Sequence, residues 1–175
     1  MKQTKRLRSM VLCAMIAGLY AAVSLAVPAL SFGPVQMRIG EALTLMPILF
    51  PDTILGVTIG CAITNAIGFI TGSNILGIID IPVGTIATLL AAILTYRFRK
   101  IRLFNLPILS ALMPVVFNAV FIGLELGILL SDGGFQMAVF IPQAISVGFG
   151  ELIACFVLGL PLIRTLEKTN IVTKI

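Results

Sequence analysis

The sequence predicts an all-α membrane protein with six transmembrane helices and both termini in the cytoplasm. Of its 175 residues, 59% are hydrophobic and only 11% are charged, which is too little charge to cover a soluble domain. Several apolar runs approach the roughly 20 residues that span a bilayer core. Segments rich in Pro or Gly separate six such runs, and no polar stretch is long enough to fold separately. We therefore expect residues 1–175 to form one integral membrane domain.

The basic residues predict the orientation. All but one of the 12 Lys and Arg lie before the first run, in the mid-chain segment RFRKIR, or near the C-terminal end. Short basic loops stay in the cytoplasm, and six crossings put all three groups on that side. The exception is Arg38, which falls on the outer side. We expect no nucleic-acid partner, because the chain offers neither an exposed basic face nor interleaved aromatic residues.

Each run is bounded by its own signals. The first covers residues 10–30; its length and the poor cleavage site VPALSFG favour a retained helix over a signal peptide. The others cover residues 38–51, 53–71, 79–96, 106–130 and 135–166. The second is short and needs tilt, bending or cover by protein. The sixth is long and contains Pro142 and Pro161, which favour a re-entrant start or a kink.

Polar side chains within the runs are the candidate binding residues. A charge exposed to lipid costs about 2.5–3.5 kcal/mol, so each of these side chains should face protein or a cavity. They are Arg38, Glu41, Asn65, Asp80, Asn118, Glu125, Gln143 and Glu151. Asn118 and Glu125 are spaced to share one helix face. Convergent polar groups in an apolar bundle are typical of a small-molecule pocket, here one that opens outward.

Several of these residues have a structural alternative. Arg38 and Glu41 lie one helical turn apart and form either an interfacial ion pair or a ligand contact. A single amide more often joins helices than binds a ligand, and Asp80 could cap the fourth helix. For Glu125 and Glu151, ligand contact or pairing within the pocket is the better interpretation.

The first run carries small residues four positions apart. Ala14 pairs in this way with Gly18, and Ala17 with Ala21. Such a ridge lets another helix approach closely. It serves either packing within the chain or docking on a partner protein, and periodicity by itself favours packing.

The chain lacks the residues that several kinds of catalytic site and metal site require. The chain has no His and only three scattered Cys, which excludes His-based triads and paired-Cys metal sites. It also lacks the P-loop motif GxxxxGK[ST] and the hydrolase motifs GxSxG and HExxH. We expect no cofactor, no enzymatic activity and no ATPase of its own.

Four long blocks of the sequence resemble the QueT family of queuosine precursor transporters. They are FGPVQMRIGEALTLMP (32–47), DIPVGTIATLLAAILTY (80–96), VFNAVFIGLEL (116–126) and SVGFGELIACFVLGLPL (146–162). The resemblance covers about residues 10–167. It implies a substrate-binding S component of an energy-coupling-factor (ECF) transporter, a six-helix protein that associates with a membrane coupling protein and two cytoplasmic ATPases. S components dock through small residues on the first helix, where Ala17 and Ala21 match that pattern.

The resemblance also implies a substrate, a 7-deazaguanine base. Its N1–H and exocyclic amine suit one carboxylate, and an aminomethyl form adds a cation that suits a second. Glu125 and Glu151 are the first choices, followed by Glu41. Asn118 or Asn65 could donate to the base carbonyl, and Phe32 could stack on the ring.

Two alternatives remain. The chain could be an S component for another vitamin such as cobalamin, which is far larger and needs an open vestibule. It could instead be a stand-alone ion-coupled carrier that uses Glu125 or Glu151 as the coupling site.

Overall fold

The computed structural model describes residues 2–33, 36–131 and 133–169, and their regular structure is helical. The elements are α1 (Lys2–Leu25), α2 (Pro28–Ser31), a 3-10 helix (Ile39–Ile48), α3 (Thr53–Ile70), α4 (Asp80–Phe98), α5 (Ile108–Leu129), α6 (Met137–Leu152), a π-helix (Ile153–Gly159) and α7 (Leu160–Lys168). A 3-10 turn, Gly77–Ile79, precedes α4. Lys174 of the C-terminal basic group and the side chains of Lys2 and Lys5 lie outside what is described.

Five segments among the described residues are long and apolar enough to cross a membrane. They are Arg6–Leu25, Thr53–Ile70, Gly77–Phe98, Ile108–Leu129 and Met137–Lys168. Their outward faces carry large exposed apolar side chains, such as Ile59 on α3 and Val120 on α5. The predicted all-α class is thus confirmed. The sixth crossing and the cytoplasmic termini stay predictions.

The second predicted run forms a ten-residue 3-10 helix, Ile39–Ile48. At about 2 Å per residue it is roughly 20 Å long, short of the ~30 Å hydrocarbon core. Every residue from Gly40 to Ile48 is buried, so this helix has the cover by protein that its length requires. Irregular backbone at membrane depth is tolerated where protein surrounds it.

The first helix differs most from the sequence prediction. Helix α1 begins at Lys2 and ends at Leu25 instead of covering residues 10–30. Pro28 starts the separate short helix α2, because proline fits a first helical turn but cannot continue one.

The sixth run is continuously helical from Met137 to Lys168. A re-entrant start is therefore wrong. The irregularity is the π-helix, which begins two residues after Glu151 and ends just before Pro161 in α7. Proline has no N–H to donate to the preceding turn, so the hydrogen-bond pattern must change near it.

Two apolar clusters form the core. The larger cluster includes Tyr20, Ala111 and Leu160, and the smaller one consists of Leu76, Ile122, Leu126 and Val147. On α5, Asn118 lies between Ala111 and Ile122. Along the last helical segment, Glu151 lies between Val147 and Leu160. Along both helices, a buried polar residue thus lies between a member of one apolar cluster and a member of the other.

Candidate functional site

The buried polar side chains form a candidate site with two halves, and Arg38 lies at the centre of the first. Its backbone is extended, and its side chain is 4% exposed. The Nη2 atom lies 3.5 Å from Asp80 Oδ2, and the guanidinium lies over the Phe32 ring, 5.4 Å from its centroid. Of the two interpretations of Arg38 and Glu41, the ion pair between them is wrong, because the carboxylate at ion-pair distance from Arg38 is that of Asp80.

Asp80 is held by the elements around it. Its Oδ2 accepts a hydrogen bond of 2.7 Å from Asn74 Nδ2, and its backbone oxygen accepts one of 2.8 Å from Asn65 Nδ2. Asn65 therefore joins α3 to α4, as expected of an amide that links helices. The capping interpretation of Asp80 is wrong: Ile79 is the N-cap residue, without a side-chain cap hydrogen bond.

Glu41 lies at the centre of the other half and is fully buried. Tyr20 donates its hydroxyl to Glu41 Oε1, and Thr88 Oγ1 donates to the same oxygen at 3.3 Å. Asn118 and Glu151 both interact with this carboxylate. Residues from α1, α4, α5 and α6 thus surround the start of the 3-10 helix.

The two halves are electrostatically connected. Glu125, on the same face of α5 as Asn118, interacts with Asp80 and Arg38. Glu151 interacts with Arg38 as well as with Glu41. The predicted acids and Arg38 therefore form one cluster within the bundle.

Many polar atoms in this cluster have no hydrogen-bond partner. In the described part of the chain, these buried atoms are Arg38 Nη2, Glu41 Oε2, Asn65 Oδ1, Asp80 Oδ1, Asn118 Nδ2, Glu125 Oε1 and Oε2, and Glu151 Oε2. An unsatisfied buried polar group costs about 1–3 kcal/mol. A cluster with both donors and acceptors unsatisfied is therefore suited to a small polar ligand or to water.

Gln143 differs from the other predicted site residues. It lies on α6 and is only half-buried, whereas the other seven are buried. The structure does not group Gln143 with the buried cluster.

Three residues of the site were missed by sequence reasoning. Tyr20 was counted as part of an apolar run, although it is one of only two Tyr in the chain and its hydroxyl needs a partner when buried. Thr88 was missed for the same reason, because it lies within an apolar helix. Asn74 falls in the loop after α3, where turn propensity explains an Asn without any ligand.

Gly150 fixes the backbone that carries Arg38. A Cβ at position 150 would lie 1.8 Å from the backbone oxygen of Gln36. The extended segment, residues 36–38, therefore packs directly against α6, which only glycine permits here.

The small residues of α1 have two different environments. Ala17 and Ala21 are buried, whereas Ala14 and Gly18 are exposed. Ala17 contacts α3. A Cβ added to Gly60 of α3 would lie 3.0 Å from the backbone oxygen of Ala17. A groove of about 560 Å³ between α1 and α3 is lined by Ser9, Met10, Cys13, Ala14, Ala17, Gly18, Leu55, Ile59 and Ile63. Packing within the chain thus accounts for Ala17 and Ala21, but not for Ala14 and Gly18.

Comparison with known proteins identifies the family. Residues 10–168 match the family described as QueT transporter. A protein of Lactococcus lactis subsp. cremoris (strain MG1363), named queuosine precursor transporter QueT, is 32% identical over 106 residues. That match spans 57% of this chain and 58% of the relative, which is less than two thirds of its length. No solved structure gave a significant match.

The family match covers all five apolar spans except residues 6–9 of the first span. It also contains every residue of the buried polar cluster. This chain belongs to the QueT transporter family and is a multi-pass protein of the bacterial cell membrane.

Proposed function

We propose that the chain is the substrate-binding subunit of an ECF-type, ATP-driven importer of a queuosine precursor, a 7-deazaguanine base. The observation that carries this proposal is the set of unpartnered buried atoms around Asn118, Glu151 and Glu41. The relative's name supplies the substrate class. The sequence has no P-loop motif, so ATP hydrolysis falls to partner subunits.

The free atoms match the hydrogen-bonding edge of the base. The N1–H and the exocyclic amine are neighbouring donors, which one carboxylate accepts as a pair. Glu151 offers the unpartnered oxygen Oε2, and Glu41 offers another. The base carbonyl needs a donor. Asn118 Nδ2 lies beside Glu41 and Glu151 without a hydrogen bond of normal geometry, and we propose that it donates to that carbonyl.

An aromatic surface lies beside this cluster. Phe32 is 1% exposed, and Arg38 covers its ring. The planar guanidinium of an Arg can itself stack on a base. We propose that Arg38 and Phe32 orient the ring system while the acids read its edge.

The partners follow from the groove on α1. We propose that a helix of the membrane coupling protein docks on exposed Ala14 and Gly18, with Ala17 forming the floor of the groove. Small residues let two helix backbones approach closely within a membrane. Two cytoplasmic ATPases would then act through that coupling protein.

The experiment is solute binding to the purified chain by titration calorimetry, with a 7-deazaguanine precursor and cobalamin measured side by side. We expect binding of the deazaguanine alone. Binding of cobalamin alone would overturn the substrate. Uptake that persists after ATP depletion but stops when the ion gradient is dissipated would overturn the ECF mechanism in favour of an ion-coupled carrier.

Glu151→Gln tests whether Glu151 accepts hydrogen bonds from the edge of the base. Replacing the carboxylate with an amide puts a donor opposite the donors of the base, so affinity should fall at least tenfold, or by about 1.4 kcal/mol. Glu167→Gln, which changes a partly exposed acid in α7 that pairs with Arg102, is the control and should bind like the wild type. Unchanged affinity in Glu151→Gln would remove Glu151 from the site.

A further inference from the structure

The loop between α4 and α5, residues 99–107, is held near the membrane surface by the two spans that it connects. Helix α4 ends at Phe98 and α5 begins at Ile108, and both segments are long and apolar enough to cross a bilayer. Even a fully extended chain covers at most about 3.6 Å per residue, so a loop this short cannot leave the ends of its spans. Its side chains therefore lie close to the lipid headgroups.

The tip of this loop is a two-residue turn with an unusual backbone. Leu103 and Leu106 exchange backbone hydrogen bonds of 2.9 and 3.0 Å, and between them Phe104 and Asn105 have φ of 53° and 61°. Asn tolerates this left-handed region, but it is unfavourable for a bulky residue, and such turns prefer glycine. The chain thus carries an aromatic side chain where its backbone would favour another residue.

Phe104 has little packing within the chain to offset that cost. At 84% it is the most exposed large apolar side chain of the described residues, and Leu103 beside it is 55% exposed. A shallow apolar hollow of about 300 Å³ adjoins the turn and is lined by Ile101, Arg102, Leu103, Ile108, Leu109 and Leu112. Apolar surface therefore extends from the turn to the start of α5, and its partner lies outside the chain.

Basic side chains surround this apolar surface. They are Arg97, Arg99, Lys100 and Arg102, and no acidic residue occurs in residues 81–124. Arg102 pairs with Glu167 of α7, with 2.6 Å between Nη2 and Oε1. In the described part of the chain, no carboxylate lies at ion-pair distance from the other three cations. The loop therefore presents apolar surface together with uncompensated positive charge.

We propose that this loop binds the surface of an anionic membrane, with Phe104 inserted among the lipids and Arg97 and Lys100 paired with headgroup phosphates. Aromatic rings are favoured at the level of the headgroups, and basic residues there attract anionic lipids. The stems of Lys and Arg can lie along apolar surface while the charged ends stay in water. The strained turn is then explained, because lipid rather than protein contacts the ring.

The consequence of this contact is an anchor for two helices of the candidate site. Anchoring residues at the interface set how a span is tilted and how deeply it lies in the bilayer. Helix α4 begins with Asp80, and α5 carries Asn118 and Glu125. The loop would hold the ends of both helices at one membrane surface, whatever solute the site binds.

The first experiment measures the depth of the turn in vesicles. The chain contains no Trp, so Phe104→Trp introduces a single indole and keeps an aromatic ring at the tip. The full chain is reconstituted in phosphatidylcholine and phosphatidylglycerol, with bromine attached to the lipids at defined depths to quench Trp. Bromine near the headgroups should quench Phe104→Trp most. The reference is Val120→Trp, about 18 Å along α5 from its start, which bromine near the chain ends should quench most.

The second experiment tests the charge. Brominated phosphatidylglycerol and brominated phosphatidylcholine are compared at equal mole fraction, and the anionic lipid should quench Phe104→Trp at least about twofold more efficiently. Adding Arg97→Gln and Lys100→Gln should abolish that preference, because the amides lack the charge. Adding Arg6→Gln and Arg8→Gln is the matched control, since it removes two exposed cations from α1, and it should retain the preference.

The outcomes that would overturn the proposal are distinct. Without quenching by either lipid, Phe104 does not contact the membrane, and its apolar surface belongs to a protein partner. Equal quenching by the two lipids would overturn the role of charge, and a preference that survives the Arg97 and Lys100 changes would overturn their assignment. Thermal unfolding in detergent verifies folding. If Phe104→Trp does not fold, Leu103→Trp replaces it, because Leu103 lies outside the left-handed region.

Discussion

Tyr20 donates its hydroxyl to the Glu41 carboxylate and so connects α1 to the start of the 3-10 helix. Both side chains are fully buried. The same helix that lines the groove with Ala14 and Gly18 therefore also contacts the buried acid cluster. One hydrogen bond joins the surface proposed for docking to the site proposed for substrate.

Tyr20→Phe should weaken substrate binding. It removes the donor to Glu41 while leaving the ring in place, and a hydrogen bond to a charged group contributes about 1.5–3 kcal/mol. We expect affinity to fall about tenfold, because Glu41 loses one of its two hydroxyl donors. Calorimetric titration measures this effect. Tyr96→Phe is the matched control, since that ring lies against Arg99, and wild-type affinity in both variants would contradict a role for Tyr20.

Asp80→Asn should destabilise the protein strongly. The substitution leaves Arg38 buried without its ion-pair partner, and breaking a buried pair in this way costs about 3–5 kcal/mol. The measurement is thermal unfolding of the purified chain in detergent. Glu167→Gln breaks the half-exposed pair with Arg102 and should lose at most about 1 kcal/mol. Equal stability losses in the two variants would contradict the structural role of the Arg38–Asp80 pair.

Gly150→Ala should displace the segment that carries Arg38. The new methyl group would meet the backbone oxygen of Gln36 at 1.8 Å, and backbone cannot move aside as a flexible side chain can. We expect lower thermal stability and weaker substrate binding.

Gly18→Ala is the control for this change, because a Cβ there meets nothing within 4 Å. It should be neutral or slightly stabilising, since Ala has the higher helix propensity. Wild-type stability and affinity in Gly150→Ala would show that the extended segment is not held by α6.

Gly18→Trp should block uptake but leave substrate binding intact. The bulky ring would fill the groove between α1 and α3 on a face exposed in the isolated chain. Uptake in cells and calorimetric binding together measure the two effects. Val120→Trp changes a similarly exposed position on α5 and should preserve both activities. Normal uptake with Gly18→Trp would remove this groove from the docking surface.

The small-residue motif on α1 also suggests Ala17→Trp as a test of docking. That variant is less informative than Gly18→Trp. Ala17 is only 5% exposed and packs beside Gly60 of α3. A large side chain there would separate two helices of the same chain, so lost uptake would not distinguish docking from misfolding.

The sequence by itself determined the membrane class, the positions of the apolar runs and most of the buried polar residues. These properties are local: an apolar run long enough to span lipid is recognisable without its neighbours, and a charge inside such a run must be covered wherever it lies. Arg38, Glu41, Asp80, Glu125 and Glu151 could therefore be identified as a candidate set before any helix was placed. The four sequence blocks likewise indicated the QueT family without knowledge of how the helices pack.

Only the tertiary structure decided how these residues are paired. Arg38 and Glu41 are neighbours along the chain, yet Arg38 has Asp80 from α4 as its ion-pair partner, and Glu41 has Tyr20 from α1 as its hydrogen-bond donor. Helical periodicity specifies a face, but the residue opposite that face depends on how the helices pack. For the same reason, one ridge of small residues on α1 divides into Ala17, buried against α3, and Gly18, exposed on the outer surface.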